Sequence, residues 1–194
     1  MASESVNNTN EQNIEPESDR RVILFIAMSL DGYIAKSDGD IGFLSMVELE
    51  GEDYGYADFI KTVDTVIVGR KTYDKVISMA GDNAYGDRDV YIITRCAKPQ
   101  SGHLKFYSLA LKDLVHTLKR SSGKHIFVDG GAEIVNEMLL GNLIDEFYIS
   151  VVPLLLGEGI SLFKSGRPET DLKLIHSQCF EKGLVQLHYI RTIN

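Results

Sequence analysis

Three features of this chain predict a three-layer α/β fold. Short apolar runs of strand type recur along it, amphipathic segments separate them, and two alternating segments stand near its C-terminal end. The runs are too uniformly apolar for strands with one wet face. They belong to a mostly parallel central sheet with helices on both faces. The alternating pair belongs to a C-terminal antiparallel β-hairpin at the edge of that sheet.

RVILFIAM (21–28) predicts the first buried strand. SLDGYIAKSDGDIG (29–42) is rich in Gly, Asp and Ser and reads as a long loop, with Asp31-Gly32 as a turn. YGYADFIKT (54–62) has helical spacing, DTVIV (64–68) is a second buried strand, and 71–80 is a helix. DVYIITR (89–95) is a third strand and KFYS (105–108) a short one. LALKDLVHTLKR (109–120) is an amphipathic helix with Leu111, Leu114, Val115 and Leu118 on one face. HIFVDGG (125–131) is a strand that ends in two glycines, and AEIVNEMLL (132–140) is the helix after it. DEFYISVVP (145–153) is a strand closed by proline. DLKLIHSQCF (171–180) and LVQLHYIRTI (184–193) form the hairpin around a Lys-Gly turn.

With 194 residues, the chain suits one domain, placed at 21–194. Residues 1–20 hold five acids, one arginine and many Asn and Ser, and read as a disordered tail. No apolar run is long enough to span a membrane. No apolar signal segment is present, and Cys96 and Cys179 stand far apart as reduced thiols, so a cytoplasmic protein is expected. A net charge of −8 argues against nucleic acid as a partner. It leaves room for an anionic cofactor held by local cations and amides. The five histidines are scattered without metal-ligand spacing; no metal is expected, and His125 reads as a strand-end residue.

In an open parallel sheet, ligands bind beyond the C-terminal strand ends. Three ends carry suitable chemistry. After VIV come Gly69, Arg70, Lys71 and Thr72, where a strand hands over to a helix. A helix N-terminus offers free N–H groups, Gly69 admits close backbone approach, and Arg70 can grip a phosphate with two donors. Gly130-Gly131 repeats the arrangement at a later strand-to-helix junction. Thr94-Arg95 adds a hydroxyl and a cation at a third end. Neither GxGxxG nor GxxxxGK[ST] is present, so the site is not of the Rossmann or P-loop type. Together the three ends predict a nucleotide site.

These residues, with SLDGYIA (29–35), VIVGRKTYD (66–74), YIITR (91–95), VDGGAEI (128–134) and PLLLGEGISLF (153–163), resemble the dihydrofolate reductase-like superfamily. Within it the chain is similar to the reductase domain of bacterial bifunctional riboflavin-pathway deaminase-reductases, as a stand-alone version, over residues 22–192. The resemblance implies a dihydrofolate reductase-like fold, a homodimer built with the C-terminal strands, and NADPH bound across the sheet edge. Ala27 and Ile34 would flank the nicotinamide. Gly69, Arg70, Lys71 and Thr72 would hold the diphosphate and 2′-phosphate, with Thr94 and Arg95 beside the latter. Gly130 and Gly131 would share a cis peptide bond. The amides of Ala132, Glu133 and Ile134 would face the diphosphate.

The implied reaction is hydride transfer from NADPH to a small pteridine- or pyrimidine-like heterocycle, as in riboflavin biosynthesis. Two carboxylates are candidates to assist it. Asp53 lies where folate enzymes carry an acid on their first helix. Asp129 stands where riboflavin-pathway reductases commonly carry Glu. The chain departs from both patterns: it has no Trp, Tyr33 replaces a frequent Lys, and the zinc motifs of the deaminase half are missing. The alternatives are dihydrofolate reduction and, from another class, an NADPH-binding protein without turnover.

Overall fold

The structure is a computed structural model that describes residues 19–96 and 99–192. Its strands are β1 (Val22–Ser29), β2 (Tyr33–Ala35), β3 (Val63–Gly69), β4 (Asp89–Ile93), β5 (Leu104–Tyr107), β6 (His125–Gly130), β7 (Glu146–Val152), β8 (Ile160–Ser161), β9 (Leu172–Cys179) and β10 (Val185–Arg191). Its α-helices are α1 (Tyr56–Lys61), α2 (Arg70–Ala80), α3 (Leu111–Arg120) and α4 (Ala132–Leu140). Eight strands form one sheet in the order β5-β4-β3-β6-β1-β7-β10-β9. The six from β5 to β7 are parallel, and β10 and β9 add antiparallel at one end. The mostly parallel sheet and its hairpin edge are as the patterning predicts.

The continuous apolar runs are explained by the two cores they separate. On one face Ile23, Val66, Val68, Ile92 and Phe127 meet Phe59 of α1 and Tyr73 and Val76 of α2. On the other, Leu24, Ile67, Ile126 and Val128 meet the Leu111, Leu114, Val115 and Leu118 stripe of α3 and Val135 and Met138 of α4. Each such Leu or Val, once buried, stabilises the fold by about 1.5–3 kcal/mol, more than the differences in helix propensity along these short helices.

Sequence periodicity missed two details. The loop after β1 contains β2, which pairs antiparallel with β8, two residues long inside the PLLLGEGISLF segment. Neither strand is long enough to show alternation. Residues 1–18 of the expected tail lie outside the described residues. Arg20, grouped with that tail by composition, belongs to the fold. Its buried guanidinium pairs with Asp64 (2.5 Å) and donates to Thr65 Oγ1 and to the carbonyls of Leu118 and Lys124. Both cysteines are free thiols. Among the described residues no helix is long and apolar enough to cross a membrane, and no cluster of acids, histidines and cysteines could hold a metal.

Candidate active site

Strands β4, β3, β6 and β1 are consecutive parallel neighbours, so Ile93, Gly69, Gly130 and Ser29 end on one edge of the sheet. The two glycine turns there touch. A Cβ on Gly69 would meet Ile134 Cγ1 at 3.2 Å and the Gly131 nitrogen at 3.5 Å. A Cβ on Gly131 would meet Thr72 Oγ1 at 2.8 Å. Gly69 and Gly131 are the N-caps of α2 and α4, and neither helix start carries a side-chain cap. The first-turn amides of both helices therefore remain available for an anion, backed by both helix dipoles. The peptide bond between Gly130 and Gly131 is cis.

Arg70 stands at the start of α2 with its guanidinium 5.7 Å from the centre of the Phe106 ring on β5. Its Nε donates to both oxygens of Asp74 (2.7 and 2.8 Å), an ion pair that raises the Arg70 pKa. The two terminal nitrogens have no protein partner among the described residues. Thr94 is half-buried at the end of β4, where its amide bonds the Tyr107 carbonyl (2.9 Å). Lys71, Arg95 and Glu133 are exposed.

The sheet opens beside these turns. Pairing of β1 with β6 stops at Leu24↔Val128, although β1 runs on to Ser29 alongside β7. On its other side β6 slips by one residue against β3, so that Val68 pairs with Gly130 and Asp129 is skipped. Phe25 to Ser29 and Asp129 to Gly131 thus border a slot between neighbouring strands. Ala27 lies on its β1 side. Ile34 of β2 packs into the core on the α3–α4 face.

Asp129 belongs to the same face of β6 as Phe127, the face covered by α1 and α2. Its Oδ2 accepts a 2.5 Å hydrogen bond from Tyr85. No donor among the described residues reaches Oδ1. Burial raises the Asp129 pKa, and the Tyr85 hydrogen bond opposes that rise without cancelling it. Burial also raises the pKa of Tyr85 and Tyr56, and the neighbouring Asp129 charge pushes both the same way. Phe25, Tyr56 and Phe59 form a packed aromatic group on this face, with Phe25 and Phe59 stacked at 4.7 Å. The sequence shows Asp129 but not its partner. Tyr85 lies 44 residues away in GDNAYGDR (81–88), a stretch whose Gly and Asp content reads as ordinary loop.

The second candidate acid is engaged by the backbone. Asp53 is exposed, and its oxygens accept the amides of Gly55 and Ala57 (both 2.9 Å), which fixes the turn into α1. The run of acids before a helix has a structural cause here. Asp31 also has a structural role. It accepts from Ser29 Oγ (2.6 Å) and from the amides of Leu156 and Gly157, tying the loop after β1 to the segment before β8. These bonds, that from Ser29 first, lower its pKa to about 2.

Residues 82–186 match the model of the RibD C-terminal domain family. The Bacillus subtilis (strain 168) protein YwjB, itself uncharacterised, is 43% identical over 174 residues, covering 89% of this chain and 99% of YwjB. A Shewanella sp. PV-4 structure assigned to riboflavin biosynthesis superposes with a TM-score of 0.80 at 29% identity, covering 89% of this chain and 99% of that one. Dihydrofolate reductase from Enterococcus faecalis, complexed with NADP(H), shares the fold, with a TM-score of 0.59 and 17% identity over 89% of this chain and 97% of that one. By these matches the chain belongs to the RibD C-terminal domain family, and its fold is the one dihydrofolate reductase shares.

Proposed function

We propose that this protein is an NADPH-dependent reductase acting on a small pyrimidine- or pteridine-like heterocycle, of the type 5-amino-6-(5-phosphoribosylamino)uracil. The observation that carries the reading is the slot between β1 and β6. It has two uncapped helix N-termini at its mouth and a carboxyl group at its side. The residues present fit the cofactor. Amides of 70–72 and 132–134 would hold its diphosphate, with glycines where a Cβ would obstruct the approach. Arg70, Lys71, Thr94 and Arg95 would hold the 2′-phosphate. Ala27, Ile34 and Gly130 would border a flat ring in the slot. When bound, NADPH supplies the hydride.

The chain's own side chains serve the substrate. Phe25 and Tyr56, backed by the buried Phe59, would offer aromatic surface to a planar ring, and Asp129 would offer one free oxygen to a ring or exocyclic nitrogen. Asp129, rather than Asp53, supports the acid's role, because the Asp53 oxygens serve the backbone.

The test is titration with NADPH and NADH, followed by cofactor fluorescence. NADPH oxidation is then measured with dihydrofolate and with the ribosylaminopyrimidine. Preferential NADPH binding with turnover of the pyrimidine is the expected result. Tight binding with no turnover, and an Asp129→Asn variant that binds NADPH like the parent, would favour a nucleotide-binding protein. Failure to bind either nucleotide would refute the reductase reading.

We also propose a homodimer through the edge strand β9. All eight of its residues are exposed, including Leu172, Leu174 and Ile175. Such an unpaired, apolar edge is a template for a second copy. An apolar depression of about 440 Å³ lies alongside, between Phe147, Ile149, Leu187, Tyr189 and Leu172.

A further inference from the structure

We propose that Tyr85 is the positioning residue of the active site: its hydroxyl holds Oδ2 of Asp129, so that Oδ1 alone meets the ligand and carries the acid's proton. The proposal rests on the reading of Asp129 as the ligand-facing acid.

The Tyr85 ring is fixed more firmly than a loop residue requires. It is 6% exposed although it lies between helix and strand, in residues 81–88. It stacks on Tyr73 of α2 at 6.2 Å with 10° between the planes. Arg88 ties the loop down. Its Nη1 donates to the Tyr85 carbonyl (2.9 Å) and its Nη2 to the carbonyl of Ile60 on α1 (2.8 Å). A phenylalanine would satisfy all of this packing. What the tyrosine adds is one hydroxyl, and among the described residues its only partner is Asp129.

That geometry decides where a proton can sit. A hydroxyl that donates to Oδ2 favours the carboxylate and, when the acid is neutral, leaves its proton on Oδ1. The groups around Asp129 are Tyr85 from the loop, Tyr56 from α1, Tyr73 behind Tyr85 on α2, and the Arg88 cation beside Tyr56. No cation bonds Asp129 among the described residues. Its acidity therefore follows from burial, which favours the neutral form, against the one Tyr85 hydrogen bond, which favours the charged form. During turnover the Oδ1–H bond would break as an N–H bond forms on the heterocycle. The charge left on the carboxylate is stabilised by Tyr85, and solvent returns the proton through the cleft.

The experiment is an infrared pH titration of the cofactor-free protein. The carboxyl stretch of Asp129 is identified by its absence in Asp129→Asn. In Tyr85→Phe the midpoint should rise by about one to two pH units, the effect of losing one hydrogen bond to a charged group. Should that variant not fold, 3-fluorotyrosine at position 85 keeps the ring and makes a stronger donor, and the midpoint should then fall. An unmoved midpoint in the folded variant overturns the proposal. The pH profile of kcat/KM should move in the same direction, with NADPH affinity unchanged. If the protein binds no NADPH, the reductase reading fails while the titration still reports whether Tyr85 governs Asp129.

Discussion

Gly69→Ala separates a working phosphate turn from an ordinary tight turn. The backbone at Gly69 has φ −70° and ψ 145°, which alanine adopts without strain. Stiffening the unfolded chain would add roughly 0.4–1 kcal/mol of stability. Against this, the new methyl meets Ile134 Cγ1 at 3.2 Å, with the Gly131 nitrogen and Gly130 oxygen at 3.5 and 3.6 Å. Overpacking costs about 1–3 kcal/mol, and an isoleucine γ-carbon that can shift a few tenths of an ångström places this site near the lower end. The two effects nearly cancel, so Tm should fall by no more than about 4 °C. The methyl also occupies the notch between the two turns, where a diphosphate would approach both sets of amides. NADPH affinity should therefore drop at least about tenfold, the equivalent of losing one hydrogen bond to a charged group. Thermal melting and fluorescence titration of the same preparation give both numbers. An unchanged Kd would refute the claim that the backbone here contacts the cofactor. A collapse in Tm would show that the glycine serves folding.

Arg70→Ala should weaken NADPH binding about tenfold or more and NADH binding far less, with a shallower salt dependence, as isothermal titration at two ionic strengths would show. Asp31 has a folded-state pKa of about 2, below its unfolded value of 3.8, so its bonds stabilise the fold above about pH 4 and are lost as pH falls toward 2. The stability gap between parent and Asp31→Asn, followed by urea melts, should close over that window; a gap that persists at its acid end would contradict the assignment. Glu146 is buried and accepts from Arg21, His188 and Tyr148. Burial alone would raise its pKa, but those hydrogen bonds hold it low. Removing it in Glu146→Ala should cost about 1–3 kcal/mol by calorimetry, because the half-buried His188 and Tyr148 lose a hydrogen-bond partner while the exposed Arg21 turns to water. If β9 carries the proposed homodimer contact, Leu174→Lys together with Ile175→Lys should leave only monomer in sedimentation while the parent sediments as a dimer, without changing the melt of the core; a parent that sediments as monomer would refute the contact.

Much of the architecture was legible because each central strand is buried twice. VILFIAM (22–28) and VIV (66–68) have no polar position, and only a sheet covered on both faces asks for that. The glycine turns were legible for a related reason, since Gly69 and Gly131 sit where the two turns meet and the side chains of Ile134 and Thr72 crowd the space a Cβ would take. The acid's surroundings were not legible. Phe127 and Asp129 share a face by strand parity, which points Asp129 toward α1 and α2. No local pattern, however, connects it to a tyrosine in a Gly- and Asp-rich loop 44 residues upstream. Asp53 misled for the opposite reason. Its neighbourhood looks like a site in composition, yet a carboxylate before a helix is as readily used by the chain's own amides.

The early end of the β1–β6 ladder makes the protein report on itself. Beyond Leu24, alternate peptide groups of β1 face β6 without a strand partner. In the free protein those amides should trade hydrogen for deuterium far faster than their neighbours, which remain laddered to β7. Anything that fills the gap would slow them. Exchange mass spectrometry of a single peptide covering 25–29 could thus rank candidate ligands before any turnover assay exists, including ligands that bind and never react.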